Sequence, residues 1–353
     1  MASAPIFLAT NNNAIQPIIA LIFSAPKSRA ILREVAIVCA QCLGFKDSPL
    51  RDIMVPRILV AGVLALDNLK TPKRSEERIV GGAGVYSSIS SSIFAETALV
   101  AAIGNDFPKN ILEKIKSHGI DIGSVSELDY PTFHWSGEYK GDMSQAITHA
   151  TDFSINEHYN WEIEKLHRES NVLLLCNNDP SIQLRVLEQV KAKVIAMDTM
   201  NLWIDVAEDK LDLVVSQVNI LFINDAEAQQ YAKCNDLDKA AIKLLAKGPE
   251  FVIIKRGEHG ASMYSNRITK HLPAYRVDNF VDPTGAGDSF AGAVMGYLSD
   301  KEVDEESLAT AMNYGAAVAS VTVEGFGTER IMTITKTEIE DRFRKLVGGP
   351  GRI

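Results

Sequence analysis

From Val172 onward the sequence alternates short, uninterrupted apolar runs with amphipathic stretches, and this alternation constrains the fold more than any other feature. Residues 172–176, 194–197, 220–223 and 251–254 are apolar throughout, as strands are when both faces of a parallel sheet are covered. Two similar runs, 58–65 and 98–104, lie upstream. With helical stretches between them, the pattern predicts an α/β fold, a doubly wound, mostly parallel sheet flanked by helices. Ligands of such sheets sit outside the carboxyl ends of the strands. Here those ends carry polar residues: Asp67, Asn177 and Asn178, Asp198 and Asn201, Asn224 and Glu227, and Lys255.

At 353 residues and 46% hydrophobic content the chain can bury a full core. Its net charge of −9 argues against a nucleic-acid partner, whose phosphates demand clustered Lys and Arg. An anionic ligand must then be held by local amides and a metal. Residues 14–25 are apolar but are broken by Pro17, lack a preceding basic residue and are too short to span a bilayer. No export signal and no membrane partner are expected. Cys39 and Cys42 form a lone C-x-x-C with no second pair or nearby His, so they are expected to be reduced and incidental, in a cytoplasmic protein.

The segment Asp282-Pro283-Thr284-Gly285-Ala286-Gly287-Asp288-Ser289-Phe290 is small and glycine-rich, then apolar. Phe290, Val294, Tyr297 and Leu298 recur at helical spacing, which starts a helix near residues 285–288. The first N–H groups of a helix lack intrahelical partners, the macrodipole adds positive charge, and glycine lets an anion approach the backbone. Asp288 falls in that first turn, the position of a general base; capping the helix is its plainer alternative.

The complete run D-P-T-G-A-G-D-S-F-A-G resembles the C-terminal signature of the ribokinase-like carbohydrate kinases, also called PfkB. The resemblance covers about residues 56–345. It implies a ribokinase-like sheet with a small β-sheet lid, and ATP-dependent phosphorylation of a hydroxyl on a sugar or nucleoside. Asp288 would be the base, with the amides of Gly285, Ala286 and Gly287 as anion hole. Gly81-Gly82-Ala83-Gly84 matches the N-terminal signature, whose glycine pair passes close under the sugar. Asp67 matches an Asp that bonds substrate hydroxyls, and Asn178 is placed with it in the substrate site.

Asn224-Asp225-Ala226-Glu227 resembles the N-x-x-E motif of the family, which organises metal and phosphates, with Glu227 acting on Mg²⁺ through water. A capped helix is the bland alternative for these two residues. Lys255 to Gly260 looks like the nucleotide loop, which assigns Lys255, Gly257 and Gly260, together with Asn313, to the nucleotide. Asp282 and Thr284, with residues 324–328, match a region that holds a monovalent cation such as K⁺ in relatives. Residues 132–140 alternate, with Phe133, Trp135 and Tyr139 on one face, and resemble a lid strand.

The expected organisation is thus an N-terminal extension of unknown role, 1–53, followed by a kinase domain, 54–350. Its lid segments are about 68–80 and 131–142, and a homodimer through the lid is expected. Ala65, Ala83 and Tyr86 depart from the family pattern and leave nucleoside and hexose both open as substrates. A Walker loop is absent from the sequence, and the G-x-G at Gly82 lacks the third glycine of a dinucleotide fingerprint. The rival to a kinase is a non-catalytic nucleotide- or sugar-binding regulatory protein on the same fold.

Overall fold

The computed structural model describes residues 55–348, apart from 142, 144 and 145. The expectations for residues 1–54, 142, 349 and 350 fall outside the described residues. The first half of the described chain runs β1 (Ile58–Ala61), β2 (Ala65–Lys70), β3 (Ser75–Gly81), α1 (Ala83–Ser92), β4 (Thr97–Gly104), α2 (Lys109–Ser117), β5 (Asp121–Leu128), β6 (His134–Tyr139), β7 (Ala146–Asp152) and α3 (Ser154–His158). The second half follows with β8 (Val172–Leu175), α4 (Pro180–Leu187), β9 (Val194–Asp198), α5 (Asn201–Val206), α6 (Glu208–Val215), β10 (Ile220–Asn224), α7 (Asp225–Ala232) and α8 (Leu237–Leu245). After them come β11 (Phe251–Lys255), β12 (Ala261–Tyr264), β13 (Thr269–Leu272), α9 (Ala286–Leu298), α10 (Glu305–Thr322) and α11 (Lys336–Gly348).

Nine strands form one sheet in the order β13-β12-β11-β10-β9-β8-β1-β4-β5. It is parallel from β11 to β5, and β12 and β13 add an antiparallel edge. Successive residues of β1 feed opposite faces: Ile58 and Val60 pack with α9 and α10 residues such as Val294 and Val318. Leu59 and Ala61 join the core on the other face, with Val186 and Leu211. Ile58, Leu59 and Val60 have no exposed surface, and each such side chain contributes roughly 1.5–3 kcal/mol of burial. The chain winds from β1 to β4 in one direction and from β8 to β11 in the other. The order therefore reverses beside β1, and the crevice outside the carboxyl ends there is where such sheets take ligands.

The single strand expected over 58–65 is in fact two strands belonging to two sheets. The apolar run conceals the break because both halves are buried. Between them the chain bends at Gly62, where a Cβ would lie 2.9 Å from Cys176 and from the Gly84 Cα. The carbonyl exposed by the bend, Val63 O, accepts from Gly84 N at 2.9 Å, so the turn before α1 satisfies the backbone of the connector.

The second sheet has the order β3-β2-β6-β7. It is the small β-sheet expected over the family fold, built from wider segments than 68–80 and 131–142. Its fourth strand, Ala146–Asp152, carries no apolar alternation and is exposed over almost its whole length, so periodicity had nothing to register. No helix among the described residues is long and apolar enough to cross a membrane.

Candidate active site

The start of α9 is shaped by one strained residue. Gly285 is the N-cap with φ +74, a conformation costly for any residue bearing a Cβ. A Cβ there would also overlap the ring of Tyr86 on α1. Tyr86 is thus packing beneath the turn, 1% exposed, and its ring is not free to stack on a substrate. Ser87 Oγ donates to Asp288 O at 3.0 Å and ties α1 to the same turn. Of the three amides expected to form an anion hole, Ala286 N already donates to Pro283 O at 3.1 Å. Gly285 and Gly287 remain as the donors with no acceptor among the described residues.

Asp282 holds this loop in place. Its Oδ1 accepts from Thr284 N at 3.0 Å and Thr284 Oγ1 at 2.6 Å, and its Oδ2 accepts from Gly327 N at 2.7 Å. Both oxygens of the carboxylate expected near a monovalent cation are therefore engaged within the chain. Tyr139 on β6 has Thr284, Asp282 and Asp288 around it, which brings the small sheet to the same loop.

Asp288, in the first turn, is partly exposed. Burial of its surroundings, reinforced by the Asp198 carboxylate, lifts it to about 6, with Lys255 opposing. Asp198 ends β9, Asn224 ends β10 and Lys255 ends β11, so three neighbouring strands deliver a carboxylate, a cap and an ammonium. Lys255 Nζ donates to Asp198 Oδ2 at 2.5 Å. Burial pulls the lysine down, but the charges of Asp198 and Glu227 outweigh it and hold the ammonium above its ordinary value. A Cβ on Gly287 would stand 3.0 Å from that ammonium. Lys255 thus lies against the first turn of α9.

Glu227 and Asn224 form a reciprocal capping box: Glu227 N donates to Asn224 Oδ1 at 2.8 Å, and Asn224 N to Glu227 Oε2 at 3.0 Å. The capped-helix alternative is realised in the geometry, yet the helix start is buried rather than superficial. Glu227 is 8% exposed, and burial lifts it to about 7 against the pull of Lys255.

Asp67 lies inside β2 rather than at the end of the first parallel strand. Its partners across the sheet are Ile79 and Trp135. It is 5% exposed, and Oδ1 is buried without a hydrogen-bond partner. Burial, with Asp282 and Asp288 adding their charges, pushes it to about 8 although the Trp135 amide opposes. A Cβ on Gly81 would overlap Asp67 Oδ2, and one on Gly82 would overlap Val63 O. The double glycine is therefore demanded by the chain's own packing before any substrate is considered.

The remaining expected residues are less closely gathered. Asn178 Oδ1 accepts from Asp179 N at 2.9 Å and Asn156 Nδ2 at 3.3 Å. Asn313 donates to Ala309 O one turn back at 3.0 Å. Nothing lies within 4 Å of the Cβ position of Gly257, whereas at Gly260 a Cβ would overlap Leu272 O. The first has room for a ligand, and the second is a packing glycine. Asp198 is not among the residues that the sequence assigns to the site, although a lysine ending a buried strand needs an acid nearby. Phe153 and Trp203, which continue edge-on from Phe133 at centroid distances of 5.3 and 5.4 Å, gave no signal at all.

A carboxylate and an ammonium beside a glycine-rich helix start, at the switch point of the sheet, suit transfer of a phosphoryl group to a hydroxyl. Residues 53–335 match the pfkB family carbohydrate kinases, and the chain belongs to that family. It is accordingly an ATP-dependent kinase of a sugar or nucleoside hydroxyl, which favours the enzyme over the non-catalytic binder. The chain is 29% identical over 256 residues to a cytidine kinase of Thermococcus kodakarensis, covering 70% of this chain and 91% of that protein. The nucleoside kinase of Burkholderia thailandensis, solved with inosine, superposes with a TM-score of 0.70 at 20% identity, over 82% of this chain and 98% of that one. An Escherichia coli protein described as a ribokinase II, solved with ATP and Mg²⁺, gives a TM-score of 0.67 at 21% identity, over 82% of this chain and 99% of that one.

Proposed function

We propose that the chain phosphorylates a nucleoside hydroxyl, with Asp288 as general base. The acceptor lies between Asp67 and Asp288, and the terminal phosphate of ATP rests on the N–H groups of Gly285 and Gly287. The hydroxyl oxygen forms a bond to the γ-phosphorus while the bond from that phosphorus to the β,γ-bridging oxygen breaks. The electron pair leaves with ADP, and the hydroxyl proton goes to Asp288. Because phosphoryl transfer asks mainly for positioning and charge stabilisation, amides already aimed at the phosphate contribute without reorganising. A nucleoside is favoured over a free sugar by two relatives at 29% identity, one named a cytidine kinase and one a nucleoside kinase, whereas the fructokinases among the relatives are 21–22% identical.

Asp67 carries the acceptor in this reading. Its unpartnered, buried Oδ1 is a costly arrangement for a folded chain, and a substrate hydroxyl supplies the missing partner. Near neutral pH it is protonated and Asp288 ionised, so one carboxyl positions and the other takes the proton. The small sheet acts as a lid that excludes water. Mg²⁺ keeps several waters and needs few carboxylates, which fits a buried Glu227 that spends one oxygen on its cap and has the other for a metal-bound water. Bound Mg²⁺ would neutralise charge on the β- and γ-phosphates.

The observation that carries this reading is the placement of Asp288 in the first turn of α9, beside two amides without acceptors. Asp288→Asn keeps the shape and hydrogen bonding of the turn but cannot take the proton. Turnover in an ADP-coupled assay across nucleosides and sugars should fall roughly 10²–10⁴-fold, with nucleotide affinity little changed. A variant that keeps full phosphotransfer removes Asp288 as the base.

A further inference from the structure

Beside the turn that carries Asp288, two buried polar atoms lack a hydrogen-bond partner among the described residues: Asp67 Oδ1 and the hydroxyl of Tyr86. The reaction above uses the first and leaves the second idle. Tyr86 lies on α1, four residues beyond Gly82, and is one of the positions at which the sequence departs from the family pattern. Its ring fills the space of the missing Gly285 Cβ, which fixes where the hydroxyl points. The charges that act on this hydroxyl are those of Asp282, Asp67 and Asp288, and Asp282 and Asp288 act on Asp67 in turn. Both unpartnered atoms thus belong to the crevice in which the acceptor is placed. Asp282 is engaged at both oxygens by Thr284 and Gly327 and accepts nothing from the phenol. Burial and the three carboxyls hold the phenol well above its ordinary value, so it stays protonated and keeps its donor. A buried hydroxyl left unpaired is costly, and phenylalanine would fill the same space without that cost. Packing against Gly285 accounts for the ring but not for the oxygen.

We propose that Tyr86 determines specificity for the acceptor, its hydroxyl donating to a non-reacting ring hydroxyl of ribose that in turn donates to Asp67 Oδ1. This rests on the nucleoside reading above and narrows it to nucleosides with an intact ribose. A hydroxyl accepts and donates at once, so a single group satisfies both atoms, whereas a hydrogen in its place leaves both buried and unpaired. A site built to pair a substrate hydroxyl rejects the analogue that lacks it more strongly than an apolar pocket rejects an added hydroxyl. Tyr86 keeps its proton throughout and forms no covalent bond.

The test compares Tyr86→Phe with the wild type, both as full chains, since the variant keeps the ring against Gly285 and removes only the hydroxyl. The probes are whichever of cytidine, uridine, adenosine, guanosine and inosine the wild type turns over best, and the 2′-deoxy and 3′-deoxy forms of that nucleoside. The wild type should disfavour at least one deoxy form by about tenfold or more in kcat/KM. Accepting both as readily as the parent would overturn the proposal without any variant. In Tyr86→Phe, kcat/KM for the ribonucleoside should fall roughly 10- to 100-fold, while the disfavoured deoxy form loses almost nothing more, so that the two deletions are non-additive. The urea midpoint should match or exceed that of the wild type, because an unpaired buried group has gone. Equal losses for all three nucleosides, no loss for the ribonucleoside, or a lowered midpoint with discrimination unchanged would overturn the proposal, the last by assigning the hydroxyl to the fold. A wild type that phosphorylates sugars and no nucleoside would instead overturn the nucleoside reading, and this proposal with it.

Discussion

The two glycine turns that meet at the site use the same residue for different purposes. In the turn 81–84 the chain itself fills every missing Cβ. Asp67 occupies the space at Gly81 and Val63 O that at Gly82, while at Gly84 a Cβ would lie 2.8 Å from Gly62 O. In the turn 285–287 Gly285 is filled likewise, by Tyr86, but Gly287 meets only the end of the Lys255 side chain. One turn is glycine-rich because two sheets and a helix converge on it. The other has a glycine whose open side faces charge. A run of glycines in sequence does not separate these cases, whereas the identity of the atoms that a Cβ would meet does.

The comparison breaks most visibly at Gly82. Its φ of +93 and the backbone atoms Val63 O and Ala65 N around its Cβ position leave Gly82→Ala no side chain to push aside. We expect a loss of about 3 kcal/mol or more, combining backbone strain with overpacking, read from urea midpoints. An unchanged midpoint would mean that the turn has slack and that its glycines, too, face a ligand.

Much of this was legible beforehand for physical reasons. Apolar runs report burial, so the parallel strands β8 to β11 stand out, and of the polar residues at their ends Asn178, Asn224, Glu227 and Lys255 are expected in the site while Asp198 is not. The helix start at Gly285 and the first-turn position of Asp288 follow from spacing alone. Burial also misled: residues 58–65 read as one strand because periodicity registers solvent contact, not which sheet a residue joins. The Asp198–Lys255 pair and the contact of Tyr86 with Gly285 bring together residues 57 and 199 positions apart, respectively, and no local pattern encodes such distances.

Each turn also has its own carboxyl raised above the ordinary range, and pH separates them. Asp67 beside Gly81 stands at about 8 and Asp288 at about 6, both raised chiefly by burial. A carboxyl raised on folding leaves the native state holding more protons than the unfolded chain. Its contribution is therefore complete below the ordinary carboxylate range and is lost as pH rises through the folded value. Wild-type stability should decline between about pH 4 and 8 from Asp67, and Asp67→Asn, which cannot ionise, should flatten that decline. The acidic limb of kcat/KM should lie near 6, where Asp288 ionises. A wild type as stable at pH 9 as at pH 5 would show that Asp67 is not held in a desolvated site.

The smallest effect on stability is expected at Gly287, and it sharpens the comparison most. Alanine is favoured over glycine inside a helix by up to about 1 kcal/mol, and Gly287 has no positive φ to forbid it. The new methyl meets only Lys255 Nζ at 3.0 Å, Cδ at 3.6 Å and Cε at 3.6 Å, the flexible end of a side chain. The fold can absorb this by moving the ammonium a few tenths of an ångström, so the urea midpoint of Gly287→Ala should match or slightly exceed that of the wild type. Catalysis has no such freedom, because the methyl stands between the amide turn and the cation where the phosphate is proposed to rest. We expect kcat to fall roughly 10- to 100-fold, the scale of misplacing a reacting group by about 1 Å. Stability lost without activity lost would reverse the roles of the two turns, making Gly287 a packing glycine like Gly82 and moving the phosphate site away from α9.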